Sequence, residues 1–351
     1  MSDNTKISWS DATANVINGC SLESPGCAGC YAMKQAHRFP VRQGLTVKTK
    51  GGMVWTGEVR FHEPALIQVL RWSRPRAIFW NAHGDIFHPS VPDAWIDRCF
   101  AGMALTPQHF HQVLTKRSGR MREYFAGMPQ PRWMKHMKEL ALIVPKPDIV
   151  DNKSGGLILS TVNGGQLPNV WLGVSVEDQK RAEERIHDLL RTPAAVRWIS
   201  AEPLLGPLDL NAIRMKYWQL SALDNRPWIS VEDGRQISAD HEGLPKLDWV
   251  VVGGESGPKA RPINRQWVRS LLGQCSAADV PFHYKQHGEW FPYGELDADG
   301  HQNSMTKGER PGFWHEWPDG GFSVKLGKKL AGRYLDGVIH DAMPAAMEQS
   351  S

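Results

Sequence analysis

The fold class predicted by the sequence is α/β: a (β/α) barrel, complete or partial, with loop insertions and a C-terminal extension. Two observations carry the prediction. Short apolar runs rich in Val, Ile, Phe and Trp recur along the chain, most followed by polar residues and then a helical pattern, the rhythm of parallel βα units. The length of 351 residues suits either two domains of about 150 residues or one barrel with insertions.

Eight runs qualify as strands: Ile7–Trp9, Glu58–His62, Ala77–Asn81, His111–Thr115, Val170–Val176, Val196–Ser200, Trp249–Gly253 and Pro281–Lys285. Among the helices, Pro92–Leu105 follows a Pro-containing turn, Glu177–Leu190 sets Ile186, Leu189 and Leu190 opposite a charged face, and a further helix covers Asn264–Ala278. Two stretches, 127–167 and 211–247, are rich in Gly, Pro or mixed charge and read as insertions into loops. The expected organisation is a barrel over 1–288 carrying both insertions, with 289–351 packed on it.

Net charge is +4 with the signs intermixed, so composition makes no general case for nucleic acid, although a local basic channel is compatible with it. The N-terminal MSDNTKISWS has no apolar stretch resembling a signal peptide, and no run approaches the ~18 apolar residues that span a bilayer. A soluble protein without a membrane partner is expected. The fifteen tryptophans are read first as packing residues and only second as stacking surfaces for bases. No Walker phosphate loop, HExxH pattern, GxGxxG fingerprint or nucleophile elbow occurs.

Five cysteines are too few for a disulfide framework, and three fall within eleven positions, which points to a metal in a reducing cytoplasm. The cluster is Cys20-(x6)-Cys27-(x2)-Cys30-Tyr31, followed by a helical segment Tyr31–Arg38. Thiolate is a soft donor that favours zinc or iron–sulfur clusters, and Pro25, Gly26 and Gly29 let the backbone wrap around a metal. A structural zinc site needs a fourth ligand such as His37; a cluster held by three cysteines leaves one iron open, able to chelate S-adenosylmethionine and start radical chemistry. Both alternatives stand at this level. Cys99 and Cys275 lie among apolar neighbours in predicted helices and are expected to be packing residues.

If the strands are parallel, the residues just after each one share the face where barrel enzymes place their chemistry. Here they are the cysteine loop, His62 and Glu63, then Asn81, His83 and Asp85, then Lys116 and Arg117, then Ser175 and Glu177, then Ser200 and Glu202, then Gly253, Gly254, Glu255 and Ser256, and finally Lys285 and Gln286.

The segments ISWSDATANVINGC with CAGCYA, RPRAIFWNAHGDIFHPSVPD, HQVLTKR, NVWLGVSVEDQ, VRWISAEPLLGPLDL, DWVVVGGESGPKARP and PFHYKQHGEW cover most of the chain outside the insertions. Together they resemble a phage-associated three-Cys-motif family placed near the radical SAM enzymes. The resemblance implies a radical-SAM-type barrel, a [4Fe–4S] cluster on Cys20, Cys27 and Cys30, S-adenosylmethionine as cofactor, and an external electron donor. The family's phage setting points to a nucleic-acid base or modified nucleotide as substrate, in DNA hypermodification. The chain departs from the usual radical SAM pattern in three ways. Its first cysteine gap is six residues instead of three, Gly29 stands where an aromatic residue usually precedes the third cysteine, and its Gly-Gly-Glu segment follows the seventh candidate strand instead of the second.

Under this reading Tyr31, Asn81, Lys116, Ser175, Glu177, Ser200, Glu202, Gly253, Gly254, Glu255 and Ser256 are the expected cofactor-binding residues. Asp85, His83 and Lys285 are the expected catalytic or substrate-facing ones. His83-Gly84-Asp85-(x2)-His88 also has the composition of a two-His, one-carboxylate metal site. The competing reading is a zinc-stabilised nucleic-acid- or protein-binding module without catalysis.

Overall fold

Seven parallel strands form the centre of the computed structural model: Ala12–Ala14 (β1), Ala77–Trp80 (β2), Phe110–Thr115 (β3), Val170–Ser175 (β4), Val196–Ala201 (β5), Trp249–Gly253 (β6) and Phe282–Gln286 (β7). They pair in chain order, β1 to β7, each neighbour parallel to the next. The sheet curls into a half barrel. The structure describes residues 5, 7–144, 166–214, 219–224, 226–230, 236–238, 244–295 and 313–345.

Alternation along each strand builds two apolar layers, because successive side chains leave opposite faces. Ile78, Trp80, Leu172, Val174, Ile199, Val250 and Val252 pack in the larger core, with the helices. Phe79, Trp171, Trp198, Trp249 and Val251 point the other way and form a second cluster with Trp9. The helices Glu63–Arg71 (α1), Asp93–Ala104 (α2), Ser118–Ala126 (α3), Gln130–Ile143 (α4), Gln179–Leu190 (α5) and Arg265–Ala277 (α6) surround the sheet. Asn264 caps the last of these by accepting the Gln266 N–H at 2.8 Å, and Asp178 caps α5 from Arg181 N–H at 2.9 Å. Cys99 and Cys275 are fully buried in α2 and α6, as their apolar neighbours predict.

Three expectations need correction. Ile7–Trp9 is not the first strand: pairing begins at Asp11, whose N–H donates to Ala77 O at 2.9 Å, so the small residues Ala12–Ala14 take the strand position. Trp9 instead plugs the inner cluster, with ring centroids 4.9 Å from Phe79 and 5.1 Å from Trp198. Apolarity marked the right burial but the wrong backbone, since pairing with β2 outranks local β propensity.

Glu58–His62 contributes only Arg60–Phe61, antiparallel to Ile17–Asn18 and outside the main sheet, so the sheet has seven strands and is a partial barrel. The stretch 127–167 is not simply a loop, because it contains α4; its residues 145–165 lie outside the described residues.

The other irregular stretches also carry structure. Ile213–Arg214, Gln219–Leu220, Pro227–Ser230 and Gln236–Ser238 form a small antiparallel sheet that adds Ile213 and Leu220 to the main core. Beyond β7, Trp290–Pro292, Phe322–Lys325 and Trp314–Glu316 form a three-stranded sheet, and the chain then returns along β7, where Tyr284 N–H donates to His340 O at 2.8 Å. Among the described residues no helix is long and apolar enough to cross a membrane.

Helices α3 and α4 are tied to α2 by one network centred on the buried Asp97. Tyr124 OH donates to Asp97 Oδ1 at 2.7 Å, Arg132 Nε to Asp97 Oδ2 at 2.8 Å, and Trp133 Nε1 to Tyr124 OH at 2.6 Å. Trp133 stacks on Phe100 at 5.2 Å. Asp97→Ala strands the buried Tyr124 hydroxyl, and a loss of about 1–3 kcal/mol is expected. Denaturant unfolding followed by tryptophan fluorescence checks it; an unchanged midpoint would remove the network from the account.

Candidate functional site

Parallel strands all end on one rim, and the cysteine loop lies across that rim. The loop leaves β1, pairs briefly through Ile17–Asn18, and meets the end of β2 at a bridge between Gly19 and Gly84. A 3-10 turn over Pro25–Cys27 then leads to a short helix, Tyr31–Gln35, that starts directly after Cys30, shorter than Tyr31–Arg38 because Ala36–Arg38 tightens into a second 3-10 turn. Cys20, Cys27 and Cys30 are free thiols and half-buried. Cys20 and Cys30 rest on an apolar pad of Ala32, Met33, Ala36, Leu45 and Trp55.

Three carboxylates from different strand ends hold this loop in place. Glu177, after β4, is fully buried; its Oε1 accepts the Gly26 N–H at 3.1 Å, and its Oε2 accepts Lys116 Nζ at 3.2 Å and Arg185 Nη1 at 3.0 Å. Glu255, after β6, accepts Arg261 Nη2 at 2.7 Å and Nε at 2.8 Å, and the same guanidinium donates Nη1 to Pro25 O at 3.0 Å. Gly29 sits so close to Glu255 that a β-carbon there would come within 1.8 Å of Oε1. That explains why glycine occupies the position before the third cysteine.

Asp85, after β2, accepts Thr115 Oγ1 at 2.7 Å, Phe87 N–H at 3.0 Å, Lys116 N–H at 3.2 Å and Arg117 Nη1 at 2.8 Å. Arg117 Nη1 also reaches Cys20 Sγ at 3.7 Å, and its Nη2 donates to Ser21 O at 3.1 Å. Asp85 thus orients Arg117 beneath the loop, and its acceptor sites are taken by the fold's own donors.

A second polar group lies at the ends of β5 and β7. Lys285 Nζ meets Glu202 Oε1 at 2.9 Å, Ser200 Oγ donates to Glu202 Oε2 at 3.1 Å, and Lys285 lies 6.0 Å from the centre of the Trp9 ring. The Glu202–Pro203 peptide bond is cis. Gly253 lies against the Glu202 carboxylate, Gly254 passes a backbone carbonyl at His287, and Ser256 Oγ accepts Gln286 Nε2 at 2.9 Å. Ser175 is buried, with its carbonyl taken by Arg185 Nη1 at 2.7 Å.

Tyr31 lies beside the end of β2. Tyr31 OH donates to Ala82 O at 3.1 Å, and its ring and that of Phe39 both approach His83 edge-on. Asn81 adopts a left-handed φ of 57° and its Oδ1 accepts the Ile17 N–H at 2.8 Å. Burial, helped by the Arg42 charge, drives the His83 pKa down to about 3, so the imidazole is neutral. His88 is occupied by Ser21 Oγ at 2.9 Å and by the Ser90 N–H at 3.1 Å.

The cysteine thiols are also shaped by burial. It pushes Cys20 up to about 12, with Asp85 adding to the effect and Arg117 opposing it, and it raises Cys30 above its ordinary value. The neighbouring thiols add to these shifts, Cys27 and Cys30 raising Cys20 and Cys27 raising Cys30. Among the described residues no group of three or more His, Cys, Asp or Glu side chains is arranged so that it could hold a metal ion, and His37 is exposed. The donor set is right for a thiophilic metal; loading one requires the sulfurs to be drawn together and deprotonated.

Sequence reasoning placed no role on Arg185, Arg261 or Arg42. Arg185 carried a readable signal, since it falls on the buried face of α5 with Ala182, Ile186 and Leu189, where an arginine requires a buried acid. Arg261 lies within the GGESGPKARP segment, but only the folded turn brings it back onto Glu255 six residues earlier.

Glu177 gives the site a pH signature. Burial opposes its ionisation, but Lys116, Ser24, Arg185 and the Gly26 N–H outweigh burial and lower its pKa from 4.5 to about 2. A carboxylate lowered on folding contributes stability above its unfolded pKa and loses it as pH falls through the folded value. Stability is therefore expected to decline between about pH 4.5 and pH 2. Glu177→Gln should cost about 3–5 kcal/mol at neutral pH, as expected when one partner of a buried pair is removed, and should flatten the decline. Urea midpoints measured across that range test both, and a variant with the wild-type pH dependence would sink the assignment.

No curated protein and no solved structure matches the chain. A family model does, over residues 4–344, nearly the whole length, and the chain thus belongs to the family described as Protein of unknown function (DUF5131).

Proposed function

We propose that this protein is a radical SAM-type enzyme acting in a reducing cytoplasm. The observation that carries the reading is the placement of three free cysteines on a single loop across the C-terminal rim of a parallel half barrel. A [4Fe–4S] cluster with S-adenosylmethionine, when bound, supplies a one-electron cleavage of the sulfonium that starts radical chemistry on a substrate carbon, the electron coming from an external donor.

The chain's own residues have definite parts in this. Cys20, Cys27 and Cys30 are the ligands, and the buried Arg117 beside Cys20 offsets part of the negative charge that three thiolates bring. Glu177 and Glu255 anchor the loop through Gly26, Gly29 and Pro25, so that drawing the sulfurs together leaves the loop seated on the rim. Glu202, Lys285 and Ser200 stand at the ends of β5 and β7, where an ion pair at 2.9 Å can exchange partners with the ammonium and carboxylate of an amino acid. The substrate we infer is a nucleotide or a base in nucleic acid.

The test is anaerobic purification with iron and sulfide analysis. About four of each per chain, and 5′-deoxyadenosine on reduction with S-adenosylmethionine, are expected. Cys27→Ala should lose the iron while its unfolding transition stays within about 1 kcal/mol of wild type, since the half-buried thiol lies outside the main core. A colourless protein holding one zinc, with Cys27→Ala unfolded, would establish the stapled binding module instead.

A further inference from the structure

The stretch that follows the third cysteine is one-sided in charge. Residues 31–57 hold Lys34, Arg38, Arg42, Lys48 and Lys50 and no acid, although the whole chain has 41 basic residues against 37 acidic ones. Arg42 is buried, but Arg38, Lys48 and Lys50 are exposed. Among the described residues, none of these three, nor Lys34, forms an ion pair with a carboxylate. Exposed charges of one sign without internal partners repel one another, and a polyanion relieves them.

The fold fixes this charge beside the cysteine loop. Thr46–Thr49 and Gly52–Trp55 pair as an antiparallel hairpin. Met53, Val54 and Trp55 of its second strand pack with Leu45 in the apolar cluster that also holds Cys20 and Cys30, while the tip from Lys48 to Gly52 is exposed. The turn after β6 reaches that tip, since Lys259 Nζ lies 3.5 Å from Gly51 O. Lys34 Nζ donates to Gly29 O at 3.3 Å and stands 3.5 Å from the place of a β-carbon on Gly257, in the same turn. Two carboxylates approach the turn and both are engaged: Glu255 by Arg261, and Glu289 by the Gly257 N–H at 2.9 Å. The segment also carries two uncovered rings, Tyr31 and Phe39, 49% and 41% exposed, each within 6 Å of the His83 ring (5.8 and 5.9 Å).

We propose that residues 31–57, together with Lys259, form a platform for single-stranded nucleic acid that runs alongside the cysteine loop. Arg38, Lys48, Lys50 and Lys259 meet backbone phosphates, and Tyr31 and Phe39 stack against bases. Spread cations and exposed rings together match a chain of nucleotides, and only an unpaired strand offers free base faces, because a duplex stacks its bases internally. The platform narrows the substrate of the proposed function to a base within a polymer. It rests on that reading for its place in a reaction but not for binding, so the two can fail separately.

Fluorescence anisotropy of a labelled single strand of about 15 nucleotides, titrated with the full chain at rising salt, tests the platform. With four phosphates neutralised, affinity should fall about fifty-fold for a four-fold rise in salt. Lys48→Gln combined with Lys50→Gln should reduce that fall to about seven-fold. Both lysines are exposed, so the unfolding midpoint of this variant should match wild type. Phe39→Ala should weaken binding about five-fold or more with the salt dependence unchanged. DNA and RNA strands of one sequence should both bind, since phosphates and base faces are common to them, and the duplex should bind about ten-fold more weakly. A strand that does not bind, a double lysine variant with the wild-type salt dependence, or a duplex held as tightly as the single strand would overturn the platform. So would phosphatidylserine vesicles that capture the chain more strongly than the strand does, which would reassign the face to a membrane surface. Cys27→Ala should bind the strand like wild type, so loss of iron there bears only on the radical reading. A loaded protein that forms 5′-deoxyadenosine but ignores the strand would keep that reading and remove the platform.

Discussion

The constraint on which the rest depends is the common direction of seven strands. A parallel sheet delivers every strand end to the same edge, and in this chain those ends carry Asp85, Lys116, Arg117, Glu177, Glu202, Glu255 and Lys285. So many charges at one edge are tolerable only if they are paired, and most are, across strands far apart in sequence. Buried pairs of this kind add little net stability over apolar packing but punish any rearrangement that separates them. The rim is thus held in one geometry, and the cysteine loop inherits it.

The loop's own regular structure is the short 3-10 turn over Pro25–Cys27. Its position comes from outside, through Glu177 at Gly26 and through Arg261 and Glu255 at Pro25 and Gly29. Raised thiol pKa values follow from the same seating, because the loop is pressed against an apolar pad. Taking up a thiophilic metal would release protons, and Arg117 would then face a thiolate where it now faces a thiol.

Much of this was legible in the sequence. Six strands and three helices announced themselves through apolar runs and caps, with Trp249–Gly253 matching to the residue. The cysteine loop and the strand-end acids were also visible, because βα rhythm alone predicts where they gather. What escaped was long-range pairing. Nothing local in Ala12–Ala14 outweighs the apolar pull of Ile7–Trp9, and nothing in Asp85 reveals that four donors, from its own turn, from the last residue of β3 and from the two residues after it, fill its oxygens.

The far edge of the sheet carries a different lesson. An incomplete barrel leaves two border strands, and a border strand with free amide groups invites a second chain to extend it. β1 is only three residues long. β7 is longer, and the returning tail occupies it through His340 and the bridge between His283 and Asp341. The closing segment therefore acts as a selvedge, finishing a ribbon that would otherwise fray into self-association, so its value to the protein is colloidal as well as architectural.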